Sequence, residues 1–449
     1  MTFSKLWIAF ALLVMPMCAV LPSAAAELEE QAAAEVDSLM EIYEHLHTYP
    51  ELSYQEKESA ALVARELRKL GFEVTEEVGD YGFEGRTSYG VVGVMRNGDG
   101  PTVMVRTDLD ALPIEEKTGL PYASRAKGVS DSGSEVLVMQ ACGHDLHMTT
   151  FVGTARMLAR IKDRWSGTLV MIGQPAEERG AGARAMLDDG LFERFPKPEY
   201  ALAFHANAEM PAGTVGMLSG YALANVDSVD ITIRGRGGHG AYPHKTKDPV
   251  TLAAQVIVNL QPIVSRQVSP FDPAVVTVGS IHGGTKHNII PDEVHLQLTV
   301  RSYKPEVRDH LLSSIRLVAE DTARAAGFPD ELLPVVELAE EEYTPSTYND
   351  PALVERLAGV IARTLGEDRV TWVEPVMAGE DFARYGLDGK IPIAIMWLGA
   401  VEPAKFEDYA RRGQQLPGLH SAEFTVFPEP AIRTGVTAMT AAVLDLMRP

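Results

Sequence analysis

The sequence predicts an α/β protein with a largely buried sheet, interrupted by a smaller inserted domain of ferredoxin-like α+β type. Apolar strand-like runs alternate with helical stretches up to about residue 222, and the alternation resumes after residue 340. Between these two parts, strand and helix patterns follow one another in the order βαββαβ, which is the ferredoxin-like unit. We therefore expect one α/β domain with a second domain inserted into it.

The first part of the α/β domain begins with helical periodicity over residues 35–70, and Gly71 is a plausible C-cap for it. Four apolar runs predict buried strands at 90–95, 102–106, 168–173 and 200–204. Two further stretches between them predict helices at 146–162 and 181–192.

The inserted domain is predicted from a change of period near residue 225. Polar and apolar residues alternate over 226–234, which predicts a half-buried strand. The remaining elements are expected as a helix at 248–268, strands at 274–281 and 293–302, a helix at 305–326 and a short strand at 334–338. The last part of the chain then predicts a helix at 351–365, a strand at 393–398 and a helix at 429–447.

Composition bounds the possible partners. A chain of 449 residues exceeds one hydrophobic core, and 46% hydrophobic with 23% charged residues is typical of a folded protein. The formal net charge is −22 and the isoelectric point is near 5.0. Nucleic acid is therefore not an expected partner, because binding it requires a basic surface.

The N-terminus resembles a secretory signal. Lys5 precedes an apolar run from Leu6 to Leu21, and Ala24–Ala26 would offer a small-residue cleavage site. The run is shorter than the roughly 20 residues of a membrane span and contains Pro16. We expect a signal peptide at 1–26, export to the periplasm or the medium, and no membrane contact afterwards; an uncleaved anchor is the alternative.

Cleavage after Ala26 would leave Cys142 as the single cysteine, so it could form no internal disulfide. It begins the segment Cys142-Gly-His144-Asp145-Leu-His, in which thiolate and imidazole are good zinc-type ligands. Two ligands separated by one residue can face the same way in an extended chain, and Asp145 could fix an imidazole. The alternative is that Cys142 is a small buried hydrophobic side chain.

Two glutamates, Glu177 and Glu178, follow the predicted strand at 168–173 after Gln174-Pro-Ala. Open α/β sheets place ligands and chemistry at the carboxyl edge of their strands. Adjacent side chains diverge, so one carboxylate can bind a metal while the other acts as a free base. The alternative is a solvated pair of charges in a loop.

Two further histidines, His205 and His420, lie at a strand end and in a late loop. Each one alone could be purely structural. Together with Cys142, His144 and Glu178 they make five candidate ligands, which could hold two ions if one ligand is shared. The sequence therefore favours a dinuclear metal site in the α/β domain.

The inserted domain offers its own polar residues. Glycines surround His239, which indicates a tight turn that presents an imidazole, and Asn288 follows Gly283-Gly-Thr-Lys-His. Arg301 lies at the end of the next predicted strand. These three side chains could polarise a carbonyl and clamp a carboxylate. The alternative is ordinary turn chemistry, since Gly and Asn are common turn formers.

Seven segments, in order along the chain, resemble the motifs of the aminoacylase and carboxypeptidase-G type metallohydrolases, in particular the branch of hippurate hydrolases and indoleacetyl-amino-acid hydrolases. They are Arg106-Thr-Asp-Leu-Asp-Ala-Leu-Pro-Ile-Glu115, Cys142-Gly-His-Asp145, Gln174-Pro-Ala-Glu-Glu178, Gly238-His-Gly-Ala241, Asn288-Ile-Ile-Pro291, Ala378-Gly-Glu-Asp-Phe382 and Leu419-His-Ser421. The resemblance covers nearly the whole chain after residue 26. It departs from the branch at Leu146, Lys286-His287 and Ala206-Asn207, which bears on the substrate more than on the mechanism.

The resemblance implies a metallopeptidase-like catalytic domain, with a mixed sheet flanked by helices, at 27–222 and 341–449, and a ferredoxin-like lid at 223–340 that dimerises. It implies two divalent ions per subunit, zinc or manganese, with cobalt or nickel possible. Cys142, His144, Glu178, His205 and His420 match the metal ligands, with Cys142 bridging. The other matching positions are Glu177 as general base, His239 as a lid group that stabilises the oxyanion, Asn288 and Arg301 as substrate contacts, and Asp108, Asp110 and Asp145 behind the ligands.

The reaction implied by the resemblance is hydrolysis of the amide bond of an N-acyl amino acid, with release of a carboxylic acid and an amino acid. The partners expected are this small substrate, or a short peptide, and a second copy of the chain bound through the lid. One alternative is a carboxypeptidase or dipeptidase, which also cleaves an amide beside a carboxylate. A non-catalytic binding protein on the same scaffold is the other, and the presence of Glu177 and all five ligand types disfavours it.

Overall fold

The computed structural model describes residues 24–83 and 85–448. Its α-helices are α1 (Ala24–Thr48), α2 (Lys57–Lys69), α3 (His144–Arg160), α4 (Gly182–Asp188), α5 (Leu191–Arg194), α6 (Pro249–Pro262), α7 (Pro305–Ala325), α8 (Pro351–Leu365), α9 (Pro403–Arg412) and α10 (Pro428–Leu446). Its strands are β1 (Glu73–Val78), β2 (Gly90–Asn97), β3 (Thr102–Asp108), β4 (Lys127–Val129), β5 (Glu135–Leu137), β6 (Gly167–Gln174), β7 (Tyr200–Pro211), β8 (Val215–Met217), β9 (Gly220–Leu223), β10 (Asn225–Arg234), β11 (Gly238–His239), β12 (Ala274–His282), β13 (Ile289–Ile290), β14 (Glu293–Ser302), β15 (Val335–Leu338), β16 (Thr347–Asn349), β17 (Val370–Trp372) and β18 (Ile393–Val401).

The larger sheet has eight strands in the order β1-β2-β6-β3-β7-β18-β8-β17. Its centre is parallel, because β3 pairs in parallel with β6 and β7, and β18 pairs in parallel with β7. Antiparallel pairs flank this centre on both sides, β2 with β6 and β8 with β18. The sheet is therefore mixed, and the helices that cover it confirm the predicted α/β fold class.

Helices α1, α3, α8 and α10 contribute to one continuous apolar core on one face of this sheet. Helices α3 and α10 approach each other closely at Gly153, where an added Cβ would lie 2.4 Å from a Val436 methyl carbon. Leu146 and Met157 on α3 have no exposed surface. Full burial of side chains of this size stabilises the fold by about 1.5–3 kcal/mol each, so α3 is held firmly against the sheet.

The smaller sheet has four antiparallel strands in the order β12-β14-β10-β15. Side chains of β10 alternate between buried and half-buried positions, as its period-2 pattern predicts. The buried ones, among them Val229, Ile231 and Ile233, share a second core with α6 and α7. The chain order β10-α6-β12-β14-α7-β15 is the predicted βαββαβ unit.

Two features differ from the sequence-based elements. The helix predicted at 181–192 is divided into α4 and α5, because the chain turns at Gly190, which has a φ of +77°. Several short strands were not predicted, including β8 and β17 at one edge of the larger sheet. Each of these two strands has three residues, which is too short for a hydrophobic period to register.

The prediction of an exported protein that begins near Glu27 is wrong on the part of the chain that the structure describes. Ala24–Ala26, expected as a cleavage segment, form the first turn of α1, and the helix continues through the proposed cut. Leu28 and Ala32 on the same helix are buried in the main core. Residues 1–23, with the rest of the expected signal, lie outside the described residues. Among those described, we find no helix that combines the length and apolar character needed to cross a membrane.

Candidate metal centre

The parallel centre of the larger sheet brings three motif positions to one edge. Asp108 ends β3 and is in register with Gln174, which ends β6. Ala203 of β7 is in register with Arg106 of β3, so His205 lies level with Asp108. Carboxyl ends of parallel strands meet at the same sheet edge. The register therefore places these segments side by side.

The Cys142-Gly-His144 segment enters this edge from the N-terminus of α3. Gly143 has a φ of +79°, and an added Cβ would lie 2.9 Å from the Cβ of Ala206. Glycine is required here for both reasons, because a side chain would strain the backbone and crowd β7. The turn leaves Cys142 and His144 buried and facing the sheet edge.

Two imidazoles are oriented in the same way. His144 Nδ1 donates to the main-chain oxygen of Asp110 at 2.9 Å, and His205 Nδ1 donates to that of Ala206 at 2.8 Å. A proton held on Nδ1 leaves Nε2 free as a ligand atom. His205 Nε2 lies 3.6 Å from the sulfur of Cys142, so both free nitrogens point into one region.

His147 lies one helical turn from His144 and is buried beside it, yet both of its nitrogens are already used. Its Nδ1 lies 2.7 Å from Asp108 Oδ1, and its Nε2 accepts the Ala206 amide at 2.7 Å. Because Nε2 accepts a hydrogen bond, Nδ1 carries the proton and donates a hydrogen bond to Asp108 Oδ1. His147 thus joins the ends of β3 and β7 and is not available as a ligand.

The two glutamates diverge as expected. Glu178 Oε1 lies 3.5 Å from His420 Nε2 and 3.9 Å from His144 Nε2. Glu177 instead lies beside Glu380 and Asp381, with ligand-type atoms within 4.8 Å of one another. Its Oε2 is also 3.9 Å from His144 Nε2, and Glu177 forms a further group with His144 and Glu178, but among the described residues it shares no such group with the Cys142 sulfur.

Five predicted ligands form two overlapping groups of donor atoms. Cys142, His144 and His205 make one group, and Cys142, Glu178 and His420 make the other, each with its atoms within 4.8 Å of one another. The Cys142 sulfur belongs to both groups. Chemically this set of thiolate, imidazole and carboxylate suits zinc and similar ions.

Unpaired atoms in the cluster test whether cations fit. His144 Nε2, Glu178 Oε1 and Asp110 Oδ1 are buried without a hydrogen-bond partner among the described residues. Buried polar atoms normally have hydrogen-bond partners, so three unpaired atoms in one cluster indicate that a bound partner is missing there. Ligation would satisfy His144 Nε2 and Glu178 Oε1, and the residues present therefore fit a metal centre.

The electrostatics agree with this fit. Burial raises the pKa of the Cys142 thiol well above its usual range and the pKa of Glu178 to about 7. Burial alone would lower the pKa of His144, but the carboxylates of Asp108 and Asp110 raise it to about 10. Burial, helped by the neighbouring His147, lowers the pKa of His205 to about 3. The cluster therefore retains protons on its acidic groups, and bound divalent cations would displace them, so metal binding would depend on pH.

A buried network lies beside Glu177, and of its members only Asp108 was predicted as part of the site. Arg106 has ion pairs to Asp108 at 2.8 Å, Glu380 at 2.9 Å and Asp381 at 3.2 Å, and its Nε donates to Gln174 at 2.9 Å. None of the three acidic partners has an exposed side chain. A charged residue inside the apolar strand at 102–106 was the available signal, because an arginine is rarely buried without partners.

Asp145 does not fix a ligand imidazole, contrary to the prediction. Its Oδ2 lies 2.7 Å from Nδ1 of His47, whose Nε2 lies 3.2 Å from Glu116. The main-chain oxygen of Asp110 orients His144 instead. The Asp110 side chain accepts from Ser53 Oγ at 2.6 Å and from the Glu178 amide at 3.0 Å, so Asp110 contacts both His144 and Glu178, two of the candidate ligands.

The lid residues do not join this cluster. His239 and Asn288 are neighbours, because β11 pairs with β13 and the Gly240 amide donates to the Asn288 oxygen at 2.8 Å, but both are exposed. Arg301 Nη1 donates to the main-chain oxygen of Met377 at 2.8 Å. Arg301 therefore connects the lid to the segment that leads to Glu380 and has no contact with the ligand cluster.

Comparisons with known proteins agree over most of the chain. The model of peptidase family M20/M25/M40 matches residues 104–413. Thermostable carboxypeptidase 1 of Saccharolobus solfataricus is 35% identical over 405 residues, which are 90% of this chain and 93% of that protein. The hippurate hydrolase of Campylobacter jejuni is 36% identical over 346 residues, which are 76% of this chain and 83% of that one.

Among solved structures, the Bacillus subtilis YXEP protein, described as a dinuclear metal-binding peptidase of the M20 family, superposes with a TM-score of 0.72. It is 29% identical, and the match covers 92% of this chain and 99% of that one. The likeness extends through both sheets, since so little of either chain is left out.

Proposed function

The chain belongs to the peptidase family M20/M25/M40, and from that premise we propose that it hydrolyses the amide bond of N-acyl amino acids. It is a metal-dependent amidohydrolase of this family, and the family includes hippurate hydrolases and carboxypeptidases. Our proposal adds the substrate class: an acyl group joined to the nitrogen of an amino acid whose carboxylate is free. The products are a carboxylic acid and an amino acid.

One observation carries the proposal. The sulfur of Cys142 belongs to two groups of potential ligands, and the buried carboxylate of Glu177 is in neither of them, although it forms a further group with His144 and Glu178. A hydrolase with two ions needs a shared ligand and also a base that no ion occupies. We assign Cys142, His144, Glu178, His205 and His420 as the ligands and Glu177 as the base.

The roles of the chain's own residues follow from this assignment. Bound ions would supply Lewis-acid polarisation of the amide carbonyl and a more acidic water. Glu177 accepts a proton from the attacking water and delivers it to the nitrogen as the C–N bond breaks. Arg106 holds Glu380 and Asp381, the two carboxylates beside Glu177, in place by ion pairs. His239 donates to the carbonyl oxygen as negative charge develops on it.

The lid must move, or a second chain must contribute, for His239 and Asn288 to reach the substrate. Both are exposed on the β11–β13 loops, where a carbonyl and a carboxylate could be bound. We propose that the lid also forms a homodimer. In support, β12 is an edge strand of the smaller sheet, and two apolar side chains, Ile281 on β12 and Val258 on α6, are 52% and 67% exposed.

A second candidate is hydrolysis of short peptides by a carboxypeptidase or dipeptidase activity. The similarity to a carboxypeptidase at 35% identity favours it, and the same metal centre could hydrolyse either the amide bond of an N-acyl amino acid or a peptide bond. The two candidates differ in what lies on the acyl side: an uncharged acyl group or an amino acid with a free amine.

A substrate panel decides between them. Protein stripped with a chelator would be refilled separately with zinc, manganese, cobalt and nickel, and assayed on N-benzoyl and N-acetyl amino acids beside matched dipeptides. We expect the highest kcat/KM on an N-acyl amino acid and none in the stripped protein. Preference for dipeptides with every metal would favour the second candidate, and turnover that survives chelation would overturn both.

The metal assignment has its own test in Cys142→Ser. A hydroxyl is a poorer ligand than a thiolate and ionises less easily. Loss of a residue that only hydrogen-bonds to a ligand lowers metal affinity by roughly 10–100-fold, so loss of the thiolate itself should lower it by at least as much. The wild-type thiol should react with a thiol reagent only after chelation, measured in a Cys18→Ser background because the chain has two cysteines. Two metals bound to Cys142→Ser, with a thiol equally reactive before chelation, would exclude Cys142 as a ligand.

A further inference from the structure

The chain turns sharply just before the two glutamates. Ala176 has φ +49° and ψ +42°, the left-handed region that alanine rarely occupies. This conformation costs about 1–2 kcal/mol for a residue with a side chain. The turn sets the direction in which Glu177 leaves the end of β6, so whatever stabilises it also determines where that carboxylate lies.

Glu56, from the loop between α1 and α2, holds this turn. Its Oε1 accepts the amide of Ala176 at 2.7 Å and the amide of Tyr54 at 2.9 Å. Glu56 has no exposed surface, and its Oε2 has no hydrogen-bond partner among the described residues. Burial of a carboxyl group with one oxygen unpaired destabilises a fold. We therefore expect its hydrogen bonds to the two main-chain amides to stabilise the turn that they hold.

A second carboxylate holds the other side of Glu177. Asp110 Oδ2 accepts the amide of Glu178 at 3.0 Å, and Ser53 Oγ donates to the same oxygen at 2.6 Å. Ser53 and Glu56 belong to one short segment, which precedes the glutamates by more than a hundred residues in the chain. The amides directly before and after Glu177 are thus both bound by side-chain oxygens from elsewhere in the fold.

We propose that Glu56 is a positioning residue for the general base, which it places by holding the Ala176 amide in the left-handed turn that directly precedes Glu177. The inference rests on the proposed function for the role of Glu177, but the bond and the turn are independent of any substrate. Because Asp110 holds the Glu178 amide separately, loss of Glu56 displaces the base and leaves the ligand in place.

We expect the length of the side chain at position 56, more than its charge, to determine whether the Ala176 amide stays bound and kcat is preserved. Burial raises the pKa of Glu56 to about 8, so the carboxyl is largely neutral at pH 7 and a glutamine imitates it in shape and as an acceptor. Aspartate keeps the carboxyl group but is one methylene shorter, and it cannot reach the Ala176 amide from the same backbone. A structural carboxylate needed for its charge would show the opposite order.

The experiment compares Glu56→Gln, Glu56→Asp and Glu56→Ala with Glu66→Ala as a matched control. Glu66 is a buried glutamate on α2 that pairs with Arg156 at 2.7 Å. For each variant we would measure kcat and KM on the best N-acyl amino acid, metal content, and hydrogen exchange of the peptide covering residues 174–182 by mass spectrometry.

We expect Glu56→Gln to stay within about threefold of wild type in kcat. Glu56→Asp and Glu56→Ala should lose roughly 10–100-fold in kcat, since a displacement near 1 Å can cost that much. KM and the bound metal should change little, and exchange in residues 174–182 should quicken. Glu66→Ala should lose stability and keep its kcat.

Three results would overturn the inference: wild-type kcat and exchange in Glu56→Ala, an equal loss of kcat in Glu66→Ala, or Glu56→Asp more active than Glu56→Gln. If Glu56→Ala does not fold, the order of the Gln and Asp variants still decides. If wild-type protein turns over no N-acyl amino acid, the proposed function fails, and exchange in residues 174–182 still tests the turn.

Discussion

The metal centre and the lid carry motifs of the same kind, but those of the centre form a buried cluster, whereas His239 and Asn288 of the lid are neighbours that remain exposed. Cys142, His144 and His205 converge because parallel strands and the N-terminus of α3 meet at one sheet edge. His239 and Asn288 lie on exposed turns of a separate sheet, connected to the rest by a few crossing segments. Strand register determines the first set, whereas the second depends on how two bodies are arranged.

The two regions also handle charge differently. Beside the centre, Arg106 and three acidic partners have no exposed side chain, so each depends on the others for neutralisation. In the lid, Arg308 pairs with Asp227 at 2.6 Å but keeps a quarter of its side chain in solvent. Loss of one charge at the centre therefore leaves the others buried without a partner, whereas water can solvate part of the Arg308 pair in the lid. We expect substitutions at the centre to have larger effects than the corresponding substitutions in the lid.

The largest effect should come from Glu177→Gln. Glutamine keeps the shape of the side chain but cannot accept the proton, so kcat should fall by about 10²–10⁴-fold while both metals remain bound. Steady-state kinetics and elemental analysis of the same sample measure both. Glu178→Gln is the matched control, in which metal content should fall as well. Near-normal turnover in metal-loaded Glu177→Gln would remove Glu177 from the mechanism.

Arg106→Leu should destabilise the protein next most strongly. It leaves three buried carboxylates without their cation, and loss of one partner of a buried pair costs about 3–5 kcal/mol. Arg308→Leu, the counterpart in the lid, should cost about 1–3 kcal/mol, the range for hydrogen bonds to charged groups. Urea unfolding of both variants gives the comparison, and equal losses would contradict the contrast between the two regions.

Periodicity and motif order were enough to predict the fold class and most long elements. The strand at 293–302 is observed over the same residues, and the helix at 305–326 differs by one residue. Long-range partners were not predictable. His147 follows His144 by one turn and looks equally suited to bind metal, and only the Ala206 amide at its Nε2 excludes it. Glu56 lies in a segment without any metal-type pattern, and its role appears only when the fold brings it to Ala176.

The lid's contribution should be next in size. If His239 stabilises the oxyanion, His239→Ala should lower kcat by about 10²–10³-fold and leave the metal content unchanged. His244→Ala, another exposed histidine of the same loop, should stay near wild type. If His239→Ala retains full activity, His239 does not stabilise the oxyanion, and the centre performs the reaction without it.

The smallest effect concerns pH, and it contrasts two histidine–carboxylate pairs. His47 lies between Asp145 and Glu116; burial would lower its pKa, but these hydrogen bonds outweigh burial and raise it to about 9. A raised folded-state pKa stabilises the protein fully below the unfolded value near 6.5, and this stabilisation is lost as pH rises through 9. The difference between the folded-state and unfolded-state pKa values of His47 corresponds to about 3 kcal/mol of stability, at 1.36 kcal/mol per pKa unit.

The stability gap between wild type and His47→Gln should therefore narrow by about this amount between pH 6 and pH 10, as measured by urea unfolding. In the lid, His295 lies 3.1 Å from Glu293 with half of its side chain exposed, and a surface pair of this kind contributes about 0–1 kcal/mol. His295→Gln should show almost no gap at either pH. A constant gap for His47→Gln would mean that His47 is not charged between its two carboxylates, and the contrast between buried and exposed charge would then rest on Arg106 alone.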